Sequence, residues 1–190
     1  NLSDKGGSNC DVLLMTATPI PRTLTMTIYG DMDLSIIYEK PKMRKPIKTY
    51  SKLENKIEDI IRFIKKEISL GNQIFWVCPL IEVSKKIDHE SAIKKFDYLS
   101  KIFPKKVSLL HGKTSIDEKE IILNRFLKKE FDILVSTTII EVGIDFPNAN
   151  VIIIENANKF GLSQLHQLRG RVGRGNKESA CILMFKSNLS

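Results

Sequence analysis

The feature that most constrains the fold is a set of short, unbroken apolar runs separated by stretches of helical periodicity. Gln73 to Pro79 (Q-I-F-W-V-C-P), Lys106 to Leu110, Phe131 to Ser136 (F-D-I-L-V-S), Val151 to Ile154 (V-I-I-I) and Ser179 to Phe185 each read as a strand. Asp11 to Met15 (D-V-L-L-M) reads the same way and closes on Thr16-Ala17-Thr18-Pro19. A strand that faces water on one side alternates apolar with polar residues, whereas a continuous run marks burial on both faces. Between the runs, Ile57, Ile60, Ile61, Ile64 and Ile68 share one helical face, and Gly71 supplies a stop. Residues 20–29, 84–102 and 161–174 are also helical in pattern, and Ser115 with Glu118 has capping-box spacing, opening a helix to about Lys128. The expected fold is a doubly wound α/β domain with a mainly parallel sheet and helices on both faces. Ligands of such sheets bind outside the carboxyl ends of the strands, at a topological switch point.

The chain has 190 residues and a formal net charge of +8. No apolar stretch approaches the roughly 18 residues of a membrane span. The first residue is Asn1, and Asn1 to Asn9 lacks the apolar core of a secretory signal, so the chain is read as a piece of a longer one. Cys10, Cys78 and Cys181 are odd in number and far apart, which argues against a disulfide framework or zinc site and fits reduced cytosolic thiols. A pI near 9.3 suits a polyanionic partner but does not choose one. From Glu39 to Lys48 two prolines interrupt a basic run, E-K-P-K-M-R-K-P-I-K. This is the expected linker, with a domain boundary near residue 45: residues 1–45 end one domain and 46–190 form the next. Lys40, Lys42, Arg44 and Lys45 fit either a solvated linker or contacts to phosphates.

Two segments imitate nucleotide-binding motifs without their context. Gly112-Lys113-Thr114 copies the end of a phosphate-binding loop, yet the position of its first glycine is Val107, inside a strand. Asp117-Glu118 echoes a metal-binding acid pair, but it falls in the first turn of a helix, where acidic side chains favour the dipole. The expectation is that the chain holds neither Mg²⁺ nor a triphosphate unaided and carries no metal ligands.

The segment Gln167-Leu168-Arg169-Gly170-Arg171-Val172-Gly173-Arg174 carries the strongest chemical signal. At about 100° per residue, Gln167, Arg171 and Arg174 share one face, with Leu165, Leu168 and Val172 opposite. Gly170 and Gly173 would each cost on the order of 1 kcal/mol inside a helix, which points to a close neighbour there. Two guanidiniums on one face can clamp a phosphate or carboxylate, and a solvated basic face is the plain alternative.

This segment resembles motif VI, Q-x-x-G-R-x-G-R, of superfamily 2 helicases. Thr16-Ala17-Thr18 resembles motif III, Thr137-Thr138 through Asp145 resembles motif V, and His111-Gly112 resembles motif IVa. The strings M-T-A-T-P-I-P-R-T-L (15–24), S-T-T-I-I-E-V-G-I-D-F-P-N-A (136–149) and F-G-L-S-Q-L-H-Q-L-R-G-R-V-G-R-G (160–175) resemble the RecG-type branch-migrating DNA helicases of bacteria. Transcription-repair coupling factors share much of this translocase module. Position 168 is Leu and 169 Arg, which departs from the H-R-x-G-R form of DEAD-box proteins and leaves the role of Arg169 undecided.

The resemblance implies the end of a first RecA-like domain followed by the second, helicase C-terminal one. It implies an ATP-dependent DNA helicase of recombination and repair that acts on stalled forks and Holliday junctions, cytoplasmic and nucleoid-associated, monomeric at full length. ATP and Mg²⁺ would be bound mainly by the preceding domain, so this chain alone is expected to be inactive. Arg171 and Arg174 would reach the γ-phosphate, with Gln167 coupling that contact to the nucleotide. Gly143 and Asp145 would approach the nucleotide and its ribose. His111, Gly112, Thr137 and Thr138 would meet DNA phosphates, although turn capping also accounts for the threonines. Thr16 and Thr18 would relay between nucleotide and DNA. A module that binds DNA or docks a protein without turnover is the competing reading.

Overall fold

The computed structural model describes residues 35–37, 39, 44–79, 85–137 and 146–187. The strand expected at 11–15 and the helix at 20–29, together with Thr16, Thr18, Thr138, Gly143 and Asp145, lie outside the described residues. The chain divides into two compact units, Asn1–Tyr38 and Glu39–Ser190, and every element below belongs to the second.

In chain order the elements are β1 (Ile47–Leu53), α1 (Ile57–Ser69), β2 (Gln73–Val77), α2 (Lys85–Ile102), β3 (Val107–Leu110), α3 (Ile116–Leu127), β4 (Ile133–Ser136), β5 (Ala149–Ile154), α4 (Leu162–Arg169) and β6 (Ser179–Phe185). Among the described residues the strands form one six-stranded sheet in the order β1-β6-β5-β2-β4-β3, and every pairing is parallel. The doubly wound architecture follows from the sequence pattern as expected. All residues of β2, β4 and β5 are buried.

Successive residues of each strand feed opposite faces of the sheet. Phe75, Val77, Leu134 and Ile152 join Leu123 and Phe126 of α3 and Leu168 of α4 on one face. Ile74, Trp76, Ile133, Val135 and Ile153 join Ile60, Ile61 and Ile64 of α1 and Ala92, Leu99 and Phe103 on the other. On the first face the rings of Phe75 and Phe126 lie 5.2 Å apart and those of Phe75 and Phe146 5.6 Å, the latter edge to face. Helix α1 ends as its glycine predicts: Gly71 takes φ +75, its N–H donates to Ile68 O at 2.9 Å, and Asn72 N–H donates to Glu67 O at 3.0 Å. This pair of bonds satisfies carbonyls that the last turn would otherwise leave bare.

Two expectations need correction. The segment 47–53, read in part as linker, is strand β1, paired along its length with β6. Its sequence I-K-T-Y-S-K-L is exposed at every position but the two ends, which are half-buried. Among the described residues the strand has one neighbour, and its exposed middle shows no apolar face, so hydrophobic patterning misses it. The helix expected over 161–174 spans only Leu162–Arg169. Gly170 is its C-cap, and Gly173 adopts φ +72, which a continuing helix forbids.

Candidate functional site

The expected site residues separate to opposite edges of the sheet. At the carboxyl edge, β3 and β4 are neighbours with Leu110 level with Ser136, so His111 and Thr137 follow directly after two adjacent strands. Gly112 is exposed and His111 half-buried. Thr137 is buried at 4% exposure, and its N–H donates to Leu110 O at 3.2 Å. That N–H is therefore committed within the sheet edge. The turn after His111 is self-contained: Thr114 N–H donates to His111 O at 3.0 Å, His111 N–H donates to Thr114 Oγ1 at 3.2 Å, and Lys113 N–H donates to His111 Nδ1 at 3.2 Å. Gly112-Lys113-Thr114 thus forms a tight turn whose amide donors at 113 and 114 point back to residue 111. The following helix opens with the expected capping box, Ser115 N–H donating to Glu118 Oε2 at 3.1 Å and Glu118 N–H to Ser115 Oγ at 3.3 Å. The Ser115 backbone bond first, and its hydroxyl second, hold the Glu118 carboxyl below the usual glutamate range.

The arginine segment lies at the amino edge. Helix α4 leaves the carboxyl end of β5 and ends beside the start of β6, so it delivers residues 170–175 to the other end of the sheet. Leu168 and Val172 are buried in the core, as expected for the apolar side of the segment. Gln167 is exposed on the helix, Arg171 is half-buried and Arg174 exposed, but the two arginines stand on a turn and not on a helical face. Arg171 N–H donates to Leu168 O at 3.0 Å, closing the first step of that turn.

Its glycines have separate causes. A Cβ on Gly173 would lie 3.0 Å from Ile47 Cγ1 and 3.3 Å from Ser179 Cβ, in a backbone conformation that already disfavours one. A Cβ on Gly175 would meet the Pro147 carbonyl oxygen at 2.9 Å. For Gly173 the close neighbours inferred from the sequence are Ile47 and Ser179, whereas a Cβ on Gly170 would meet only carbonyls of its own helix, Gln167 O at 3.3 Å and His166 O at 3.5 Å. Arg169, undecided from sequence, turns back along its own helix, where its guanidinium donates to His166 Nδ1 at 3.4 Å.

Beneath this turn is a buried polar floor that pattern reading passed over. Ser179 Oγ donates to Asn150 Oδ1 at 3.3 Å, Asn150 Nδ2 to Asn72 Oδ1 at 2.9 Å, and Asn72 Nδ2 to Glu67 Oε2 at 2.7 Å. Asn150 is fully buried, and a polar side chain inside A-N-V-I-I-I is the signal that could have marked it. Arg44 was read with its neighbouring cations as part of either a solvated linker or a phosphate-contacting run. Its Nε donates to Gly173 O at 3.1 Å and its Nη2 to Gly170 O at 3.3 Å. A third overlooked group closes the carboxyl end of β5. Glu155, 7% exposed, accepts from Trp76 Nε1 at 2.9 Å and pairs with Lys95 at 2.8 Å, with Cys78 Sγ donating to it at 3.7 Å.

A family profile described as "Helicase conserved C-terminal domain" matches residues 55–176, from the turn before α1 through the arginine turn. The chain belongs to that family. This helicase C-terminal domain is 51% identical over 180 residues to the ATP-dependent DNA helicase RecG of Bacillus subtilis, covering 94% of the chain and 26% of that protein. It is 48% identical over 180 residues to the RecG of Thermotoga maritima, covering 94% of the chain and 23% of that protein. Among solved structures it resembles that of RecG bound to a three-way DNA junction, with a TM-score of 0.75 and 45% identity over 91% of the chain and 22% of the other. The helicase domain thus spans about a quarter of the length of these relatives. Among its described residues no group of three or more His, Cys, Asp or Glu is placed to hold a metal ion. No described helix is long and apolar enough to cross a membrane.

Proposed function

We propose that this domain is the second motor portion of an ATP-dependent DNA helicase that acts on branched DNA such as forks and Holliday junctions. Residues 1–45 then end the first RecA-like domain and 46–190 form the second. The observation that supports the reading best is the anchored arginine turn. It keeps Arg174 at the surface on a backbone fixed by Gly173, Gly175 and the bonds from Arg44, in a chain 45% identical to a protein seen on a three-way DNA junction.

Phosphoryl transfer spreads negative charge over the transferred group, and little covalent chemistry is left for the protein to perform. A guanidinium held in place stabilises that charge without reorganising at the moment of reaction. Arg174 and Arg171 take this role from across a cleft, with Gln167 reporting nucleotide state and Gly143 and Asp145 approaching the nucleotide. The phosphate-binding loop and metal ligands belong to the preceding domain, and the isolated chain is inactive. At the carboxyl edge, His111 and Gly112 meet the DNA backbone together with Thr138 and the hydroxyl of Thr137. Thr16 and Thr18 couple the two processes. Phosphate contacts of this kind position a strand without reading its sequence, as a translocase requires.

The test is DNA-stimulated ATP turnover by the full-length protein carrying Arg174→Ala. Turnover should fall by about 10³-fold or more while nucleotide binding persists. Unchanged turnover would make Arg174 structural and favour a binding module without an ATPase cycle.

A further inference from the structure

We infer that Arg44 is a positioning residue for the arginine turn: it ties the basic segment before β1 to the backbone that carries Arg171 and Arg174. Sequence reading left this residue between a solvated linker and a phosphate contact. The structure shows an exposed side chain that nevertheless has two backbone partners within the domain. Its guanidinium spends Nε on Gly173 O at 3.1 Å and Nη2 on Gly170 O at 3.3 Å, carbonyls of the two glycines that bracket Arg171 and Val172. Gly170 is the C-cap of α4, where helix carbonyls lack intrahelical donors and carry the negative end of the dipole. A cation there satisfies groups that would otherwise depend on water.

The arrangement is specific to arginine. A planar fork can serve two carbonyls at once, whereas a lysine ammonium is a point charge on a flexible stem. Three residues after Arg44, Ile47 lies against Gly173, where a Cβ would come within 3.0 Å of its Cγ1. Pro46 between them fixes one backbone angle of the connection. The turn is thus gripped from one strand entrance by a hydrogen-bonding fork and a side-chain contact, while Ser179 supports it from the other. Loss of the fork frees the carbonyls and leaves the arginine backbone to sample positions away from a reacting phosphate.

This inference rests on the helicase reading, and the experiment separates the two. Full-length Arg44→Ala, Arg44→Lys and Arg174→Ala proteins are compared in DNA-stimulated ATP turnover, KM for ATP and thermal midpoint. Arg44→Ala should lower kcat by about 10- to 100-fold, the scale on which misplacing a catalytic group acts. KM should change less than about twofold and the midpoint by only a few degrees. Arg44→Lys should keep most of the defect, and millimolar guanidinium ion should restore part of the turnover of Arg44→Ala. Wild-type kcat in Arg44→Ala with a collapse in Arg174→Ala overturns the role of Arg44 alone. Full rescue by lysine, or a kcat loss that follows the loss of folded protein, overturns it too. Unchanged turnover in Arg174→Ala overturns the helicase reading beneath it. If Arg44→Ala does not fold, the Arg44→Lys protein decides by the same kcat and KM criteria.

Discussion

Gly170 and Gly173 look alike in the sequence and differ in what they permit. Gly170 has φ −67, a helical value open to any residue, whereas Gly173 at φ +72 is in the left-handed region and faces Ile47 at Cβ contact distance. A left-handed conformation costs an L-residue roughly 1–2 kcal/mol before any steric clash. Gly173→Ala should therefore destabilise the domain by about 1–3 kcal/mol in urea denaturation, and Gly170→Ala by clearly less. Equal losses would show that the turn is held by something other than its backbone. The arginine segment stood out in the sequence because a Q-x-x-G-R-x-G-R string is long and chemically unusual. The setting of the arginines was not legible, since glycine spacing alone does not distinguish a helix interior from a helix end followed by a turn. Arg44 and Asn150 were invisible for a different reason: each acts through a residue far away in the chain, and local periodicity carries no such information.

Elements with their own punctuation were read accurately. Helix α3 begins where Ser115 and Glu118 exchange backbone and side-chain bonds, and α1 ends at Gly71. Strand β1, which pairs along its length with β6, was read in part as linker and otherwise passed over. Ser115→Ala should cost about 0.5–2 kcal/mol at neutral pH, measured by urea denaturation. The Ser115 backbone N–H, which alanine keeps, and then the Ser115 hydroxyl hold the Glu118 carboxyl below its ordinary range, so the part owed to the hydroxyl is present above the unfolded glutamate value, near 4.3, and is lost as pH falls through the lower folded value. The difference between Ser115→Ala and wild type should accordingly narrow below about pH 4. A difference that holds constant into acid would assign the effect to the Ser115 hydroxyl without Glu118.

Across the whole domain, the residues singled out from the sequence stand at two opposite edges of the sheet. His111 and Thr137 stand at the carboxyl ends of β3 and β4, while the arginine turn sits at the amino ends of β1 and β6. The rule that ligands gather at the carboxyl edge points to the first group alone, because α4 carries the chain from one edge to the other before the arginine turn. The core between them also controls the thiols. Burial pushes the Cys181 thiol up to about 11, and burial followed by the Glu155 charge raises that of Cys78. Folding thus favours both neutral thiols; this contribution is intact below the unfolded cysteine value near 8.5 and declines as pH rises toward 11. In a Cys10→Ser background, neither thiol should react with iodoacetamide at pH 8 until urea unfolds the domain. Rapid labelling of the native protein would show that the core opens locally.

Pairing β1 with β6 sets residue 47 against residue 179, so the first strand of this domain has no partner until the last has been made. During synthesis β1 must wait while the intervening elements leave the ribosome, and such distant pairings are slow to form. The lysines at positions 48 and 52 suit a strand that spends this interval with an open edge, since charge deters pairing with other chains. The contact between Ile47 and Gly173 then forms only at the end of folding, which makes the arginine turn among the last parts of the domain to reach its working shape.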